Sequence, residues 1–321
     1  MSLNQQELDS YCQSILGQER TRNRFLVLCE GRREKIQPRM SRSPQVYEEK
    51  ETTPDSSFYK NCTPNFLDQI GLIPRFINCG VCDDVTKVYT TLSKMLAQDK
   101  TKQYVHPKKI FAIIDLDNQI RSIDDYQFKT TQDIFFNLYE KTKVSEANAD
   151  LGHTIWVTGL IHKEAYFLEP DLQSFFDNYP TPFFYRDTKI LLQEIYLKMA
   201  QEIDQDKNLT TNLEVIRSRI KHCIDLDFND VEELKSNWID RFHSSSNEQK
   251  KRELILTLLA VVHVKDNYWK EIRPERGKNA HHHREELALA IARDFYAKQT
   301  DDEAAAKYHI PYFFKMLRKF A

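Results

Sequence analysis

Four short, unbroken apolar runs punctuate the first half of the chain: residues 25–29 (FLVLC), 75–78 (RFIN), 110–114 (IFAII) and 154–158 (TIWVT). Each is rich in β-branched or aromatic residues and is closed within two residues by Gly or Asp, as short buried strands are. Their apolarity is continuous rather than alternating. That suits strands covered on both faces and predicts a parallel sheet. Between them, residues 85–96 carry Val85, Val88, Tyr89, Leu92 and Leu96 at helical spacing. Asp83 or Asp84 is placed to cap that helix. Residues 58–70 form a second helical candidate. Strand alternating with helix implies βαβ units, hence an α/β, Rossmann-like parallel sheet flanked by helices.

Beyond about residue 188 the pattern becomes helical throughout, over 189–203, 212–223, 231–242, 248–270, 282–298 and 301–320, with no strand run of comparable quality. The cluster Pro180, Pro182 and Asp187 marks a boundary. Two domains are expected: 20–187, α/β, and 188–321, all helical, with a regulatory, substrate-binding or oligomerisation role. Residues 32–57, rich in charge, Ser and Pro, read as a long inserted loop, which in a compact domain usually serves function.

The 321 residues include 46 basic and 48 acidic ones, 40% hydrophobic and 29% charged, which excludes a largely disordered or fibrous chain. The longest apolar run, 254–264, is too short for the ~20 residues of a membrane span. The N-terminus shows no basic region leading into an apolar stretch, so no secretory signal is expected. Six scattered cysteines suit reduced thiols in the cytoplasm, and the Cys79–Cys82 pair has no second pair to complete a zinc site.

Acidic residues stand where two of the predicted strands end. Glu30 follows FLVLC, and Asp115 and Asp117 follow IFAII. Residues two apart point to one side, and neighbouring strands lie ~4.8 Å apart, so the three carboxylates can converge. Open parallel sheets bind ligands beyond the carboxyl ends of their strands. Clustered carboxylates repel, and hard oxygen donors without Cys or His select Mg²⁺ or Mn²⁺. Taken singly, Glu30 could be a helix-cap residue and the Asp115/Asp117 pair a solvated turn. Between residues 20 and 42 eight basic residues, among them Arg32, Arg33 and Lys35, outnumber two acidic ones. This basic rim suits a polyanionic substrate, the plainer reading being a solvated basic face.

These residues resemble the TOPRIM domain, the metal-dependent phosphoryl-transfer module of topoisomerases, primases and OLD-type nucleases. Glu30-Gly31 matches its glutamate–glycine after the first strand. Asp115-Leu116-Asp117 matches its DxD, and Gly80 matches the glycine that opens the intervening helix. Glu34 or Asp55 matches the second acidic position of nuclease branches. After the fourth strand, Lys163 and Glu164 match a further basic or acidic position. The likeness spans about residues 20–175. It lacks a topoisomerase tyrosine domain and a primase zinc module, which favours a nuclease. The layout is similar to stand-alone TOPRIM effectors of anti-phage defence such as that of PARIS systems, which an ATPase partner restrains. The resemblance implies Mg²⁺- or Mn²⁺-dependent cleavage of RNA such as tRNA, or of DNA. Asp115, Asp117, Glu164 and Asp55 would serve as metal ligands. Glu30 would be a ligand or acid–base group. Glu34 and Lys163 would assist catalysis.

A second constellation lies at residues 273–283. Arg273, Arg276 and Lys278 could contact nucleic acid. Arg276, four residues, then His281 resembles the loose Arg/His signature of HEPN ribonucleases, which cleave RNA without metal at a dimer interface. An exposed helix start explains the same residues. The alternatives to a metal-dependent nuclease are therefore a metal-independent ribonuclease using Arg276 and His281, and a non-catalytic nucleic-acid-binding or regulatory protein. The amphipathic C-terminal helix either packs internally or makes a homodimer.

Overall fold

The structure, a computed structural model, describes residues 3–18, 21, 24–33, 54–98, 105–274 and 279–320. Its centre is a four-stranded parallel sheet of β1 (Leu26–Cys29), β2 (Arg75–Asn78), β3 (Ile110–Ile114) and β4 (Ile155–Val157). The order is β2-β1-β3-β4. Leu26 pairs with Arg75 on one side and Ile110 on the other, and Ile114 pairs with Val157. The four apolar runs thus become the four strands, and β1, β3 and β4 are buried along their whole length. The connection from β1 runs to one side, to β2, and the chain then crosses back to β3. The sheet reverses direction between β1 and β3, where doubly wound sheets open a crevice.

Helix α1 (Gln5–Leu16) packs on α3 (Cys82–Gln98), which covers β1 and β3. The helix begins at Cys82, so Asp83 and Asp84 stand in its first turn rather than capping it. The segment expected to form one helix over 58–70 is two, α2 (Asp55–Asn61) and Asn65–Gln69, because Pro64 precedes the second and cannot continue the first.

The other face of the sheet is covered partly by the end of the chain. Helix α8 (His309–Lys319) sets Phe313 edge-on to Phe111 at 6.3 Å and to Trp156 at 5.5 Å. Phe314 meets Phe76 at 6.2 Å. The amphipathic terminal helix therefore packs internally. The expected boundary near 188 is also bridged. Phe183–Tyr185 pairs with Thr188–Lys189 and with Ile272–Pro274 in a small antiparallel sheet. The strand at 272–274 was not expected. The run 248–270 gives a helix only to Leu259, and 301–320 divides into Asp302–Lys307 and α8. Trp156, Trp238 and Trp269 are all buried, as are the six cysteines, none of them in a disulfide. No described helix is long and apolar enough to cross a membrane.

Candidate metal centre

Local geometry at the ends of β1 and β2 places Glu30. Gly31 and Gly80 form a bridge in which each N–H donates to the other's carbonyl at 2.9 Å. Their φ values are +117° and +115°, a region that favours glycine. A Cβ on Gly31 would press on the Asn78 side chain at 3.1 Å, and one on Gly80 would run into the Asp84 carboxylate. Asn78 also accepts from the Ser56 N–H at 3.0 Å. That bond ties the first turn of α2, and with it Asp55, to the end of β2.

At the end of β3, the Asp115 N–H donates to Glu30 Oε1 at 2.9 Å. The next residue is pinned by β4: the Leu116 N–H donates to Thr158 Oγ1 at 3.0 Å. Asp117 has φ +40°, unusual for a non-glycine. Its N–H donates to the Ile161 carbonyl at 3.1 Å, and its carbonyl accepts from Arg219 Nη2 at 2.8 Å. After β4, the 3₁₀ segment Lys163–Leu168 starts with two buried charges. Lys163 Nζ lies 2.6 Å from Asp55 Oδ1 and 3.8 Å from Glu164 Oε1. His162 Nε2 accepts from the Val264 N–H at 3.2 Å, which leaves the proton on Nδ1, 3.2 Å from Glu164 Oε2.

The electrostatics divide the carboxylates into two groups. Burial would raise Glu164, but His162 and Lys163 hold it at about 2, so it is anionic throughout the neutral range. Burial pushes Asp55 up, and Lys163 pulls it back. Burial alone would lower Lys163, yet Asp55 and Glu164 hold it above the ordinary lysine value, so its charge is fixed. Neither Glu30 nor Asp115 has an ion pair among the described residues, although the Arg121 charge opposes the rise of Glu30. Each residue is only partly buried, yet protein surrounds the carboxylate on almost every side. Burial raises Glu30 to about 8; the Asp115 N–H opposes this, and Asp55 and Asp117 add to it. Burial also pushes Asp115 well up, reinforced by Glu30, Asp55 and Glu164. Beside them the buried Tyr59 hydroxyl has no hydrogen-bond partner among the described residues.

Among the described residues no three His, Cys, Asp or Glu side chains stand together as ready ligands for a metal ion. The chemistry of the donor set nevertheless fits a divalent cation. The oxygens are hard, they come from separate elements, Glu30 raises the cost of ionising Asp115, and Asp55 and Asp117 raise that of ionising Glu30. A bound cation would reverse the sign of that interaction. The carboxylates would have to draw closer to share it.

Of the sequence-predicted residues, Glu30, Asp55, Asp115, Asp117, Lys163 and Glu164 gather at this end of the sheet. Arg32 is exposed and Arg33 half-buried just past Glu30. Glu34, Lys35, Arg276 and Lys278 lie outside the described residues. Arg273 sits in the small antiparallel sheet beside Glu271. His281 borders a narrow cleft with Lys163, Glu164 and Arg284, so the two constellations of the sequence are neighbours. Arg219 was missed. It is fully buried and donates to Asn118 Oδ1 (3.2 Å), the Ala260 carbonyl (3.1 Å), the Asp117 carbonyl and Gln132 Oε1 (3.1 Å). A signal was present: Ile216, Arg219, Ile220 and Cys223 form the apolar stripe of the helix Leu213–Ile224, with an arginine at an inward position. No family model matches this chain, and no match was found among curated proteins or solved structures.

Proposed function

We propose that the chain is a Mg²⁺- or Mn²⁺-dependent nuclease whose centre is the acidic end of the parallel sheet, a TOPRIM-like arrangement. The observation that carries this reading is the hydrogen bond from the Asp115 backbone N–H to Glu30 at the β1/β3 reversal, which sets two acidic residues side by side with no ion pair of their own among the described residues. Glu30 and Asp115 would hold the metal, with Asp117 beside them. Asp55 and Glu164 form a second rank whose charge Lys163 partly neutralises. A cation bound there would stabilise charge on phosphoryl oxygens and acidify a bound water.

The chain's own residues supply the rest. Glu30, raised to about 8, can hold or release a proton near neutrality, which suits acid–base work. Lys163 fixes Asp55 by a 2.6 Å contact and keeps that corner of the site closed to a competing cation. Arg32, exposed next to Glu30, is placed to meet a phosphate and reads no sequence. His281 and Arg284, on the helix Ala280–Ala290, face the same side as Lys163 and Glu164 and could contact the same strand.

The test is cleavage of labelled RNA and DNA by the full chain, with Mg²⁺ or Mn²⁺ and with EDTA. Cleavage should require the cation, vanish in Glu30→Gln and survive in His281→Ala. Cleavage that persists in EDTA and in Glu30→Gln but fails in His281→Ala would falsify the metal reading and favour the metal-independent one. Binding without any cleavage would favour a non-catalytic role.

A further inference from the structure

A large cleft lies away from the acidic centre, where the helices Leu213–Ile224, Val231–Ser244 and Glu248–Leu259 meet the turn at Lys141. It encloses about 760 Å³. Lys141, Lys221, Arg241 and Lys250 line it, with Asp225 and Glu253 as the acidic members. None of the four cations makes an ion pair or side-chain hydrogen bond among the described residues. Elsewhere in the same helical region Lys235, Lys251, Lys265 and Lys270 are all paired with carboxylates.

Two of the four have a local explanation. Lys221 and Arg241 lie in the last turns of their helices, where a cation complements the negative end of the dipole. The other two stand against local preference. Lys250 is in the first turn of its helix, beside the positive end of the dipole, where a cation is disfavoured. Lys141 has φ +57°, a conformation that favours Gly or Asn. An anion in the cleft would offset the unfavourable position of Lys250 and give the Lys141 ammonium a partner. The flanking loop adds hydroxyls from Ser244, Ser245 and Ser246, and Ile224 and Leu254 provide an apolar wall.

We propose that this cleft binds a phosphorylated small molecule of nucleotide size, its phosphates held by Lys141 and Lys250 together with Lys221 and Arg241. The volume falls in the ~300–1,000 Å³ range of small-molecule sites. Asp225 and Glu253 would repel a continuous phosphate backbone, whereas each can accept from a hydroxyl or amino group at the other end of a small ligand. The proposal stands independently of the nuclease reading.

The experiment is calorimetric titration of the full chain with inorganic triphosphate, ATP and a 12-nucleotide single strand. EDTA is kept present so that the acidic centre takes no part. ATP should bind, inorganic triphosphate more weakly, and Lys141→Glu/Lys250→Glu should weaken ATP by at least about tenfold. Both lysines are exposed, and Lys141→Gln/Lys250→Gln supplies a milder change in the same direction. Three results would each overturn the proposal: no binding of either phosphate compound at millimolar concentration, binding that the lysine variants leave intact, or binding of the oligonucleotide alone.

Discussion

Replacing Arg219 by Met separates the two jobs this residue performs. The substitution keeps much of the side-chain volume and removes every donor. Asn118 Oδ1, Gln132 Oε1 and the Ala260 carbonyl each lose their Arg219 donor in the interior. At ~1–3 kcal/mol for each unsatisfied buried acceptor, the loss is about 6 kcal/mol. Deleting the charge relieves part of this. Burial lowers Arg219 from 12.5 to about 10, which corresponds to a desolvation cost of about 3 kcal/mol. The net destabilisation is then about 3 kcal/mol, which a fold within the usual 5–15 kcal/mol survives. The Asp117 carbonyl also loses its 2.8 Å donor, so the left-handed backbone at φ +40° is then held from the helical half through the next residue, whose side-chain amide donates to the Val261 carbonyl at 2.9 Å. Urea denaturation followed by tryptophan fluorescence should show the stability loss. Mn²⁺ affinity, measured well below the unfolding midpoint, should fall by about tenfold or more, in the range seen for residues that orient metal ligands. A variant that loses stability yet binds Mn²⁺ like the parent would refute the role of Arg219 in placing Asp117. An unchanged denaturation midpoint would refute the energetic estimate.

Three further outcomes follow from the same geometry. Lys163→Met strands Asp55 as a buried carboxylate, while Glu164 keeps His162 and Lys265, and should cost about 3–5 kcal/mol in denaturation, with part regained in Lys163→Met/Asp55→Asn; a full-sized loss in the double variant would argue against direct pairing. Gly80→Ala should lower the melting temperature, because alanine at φ +115° costs about 1–2 kcal/mol and its Cβ meets Asp84; an unchanged melting temperature would contradict this. As pH drops from about 6.5 to about 4, His309 and His153, which burial lowers to about 4 in the fold, should each contribute a loss of stability, because the unfolded chain takes up protons below 6.5; Glu30 and Asp115, raised in the fold, contribute with the opposite sign. His309 alone accounts for about 3 kcal/mol of that loss. Denaturation midpoints of the parent and of His309→Gln across this range isolate the histidine: the parent should lose more stability than the variant as pH falls, and a gap between the two that stays constant would contradict it.

The strands were legible because short parallel strands buried on both faces leave unbroken apolar runs, and β2 and β3 fall on residues 75–78 and 110–114 as expected. The acidic residues were legible for the same reason: once the strand ends are known, Glu30 and Asp115 are at their tips. The rest depends on three-dimensional proximity that one-dimensional periodicity cannot express. An amphipathic stripe such as that of α8 says that a face is buried but not that the covering partner is the sheet some two hundred residues earlier. Ile272–Pro274 is a strand only because Phe183–Tyr185 offers it an edge. The fixed charge of Lys163 arises from Asp55, more than a hundred residues away in sequence.

As proposed above, Glu30 and Asp115 form an under-neutralised pair that a divalent cation would complete. Thermal unfolding of the parent and of Glu30→Gln, each with and without Mn²⁺, tests it most directly. Without the cation, Glu30→Gln should melt higher than the parent, since glutamine spares the fold the cost of neutralising a glutamate that burial raises to about 8; with Mn²⁺ the parent should gain stability and the variant should not. Equal Mn²⁺ stabilisation of both proteins, or a variant that melts lower in the absence of the ion, would contradict the account.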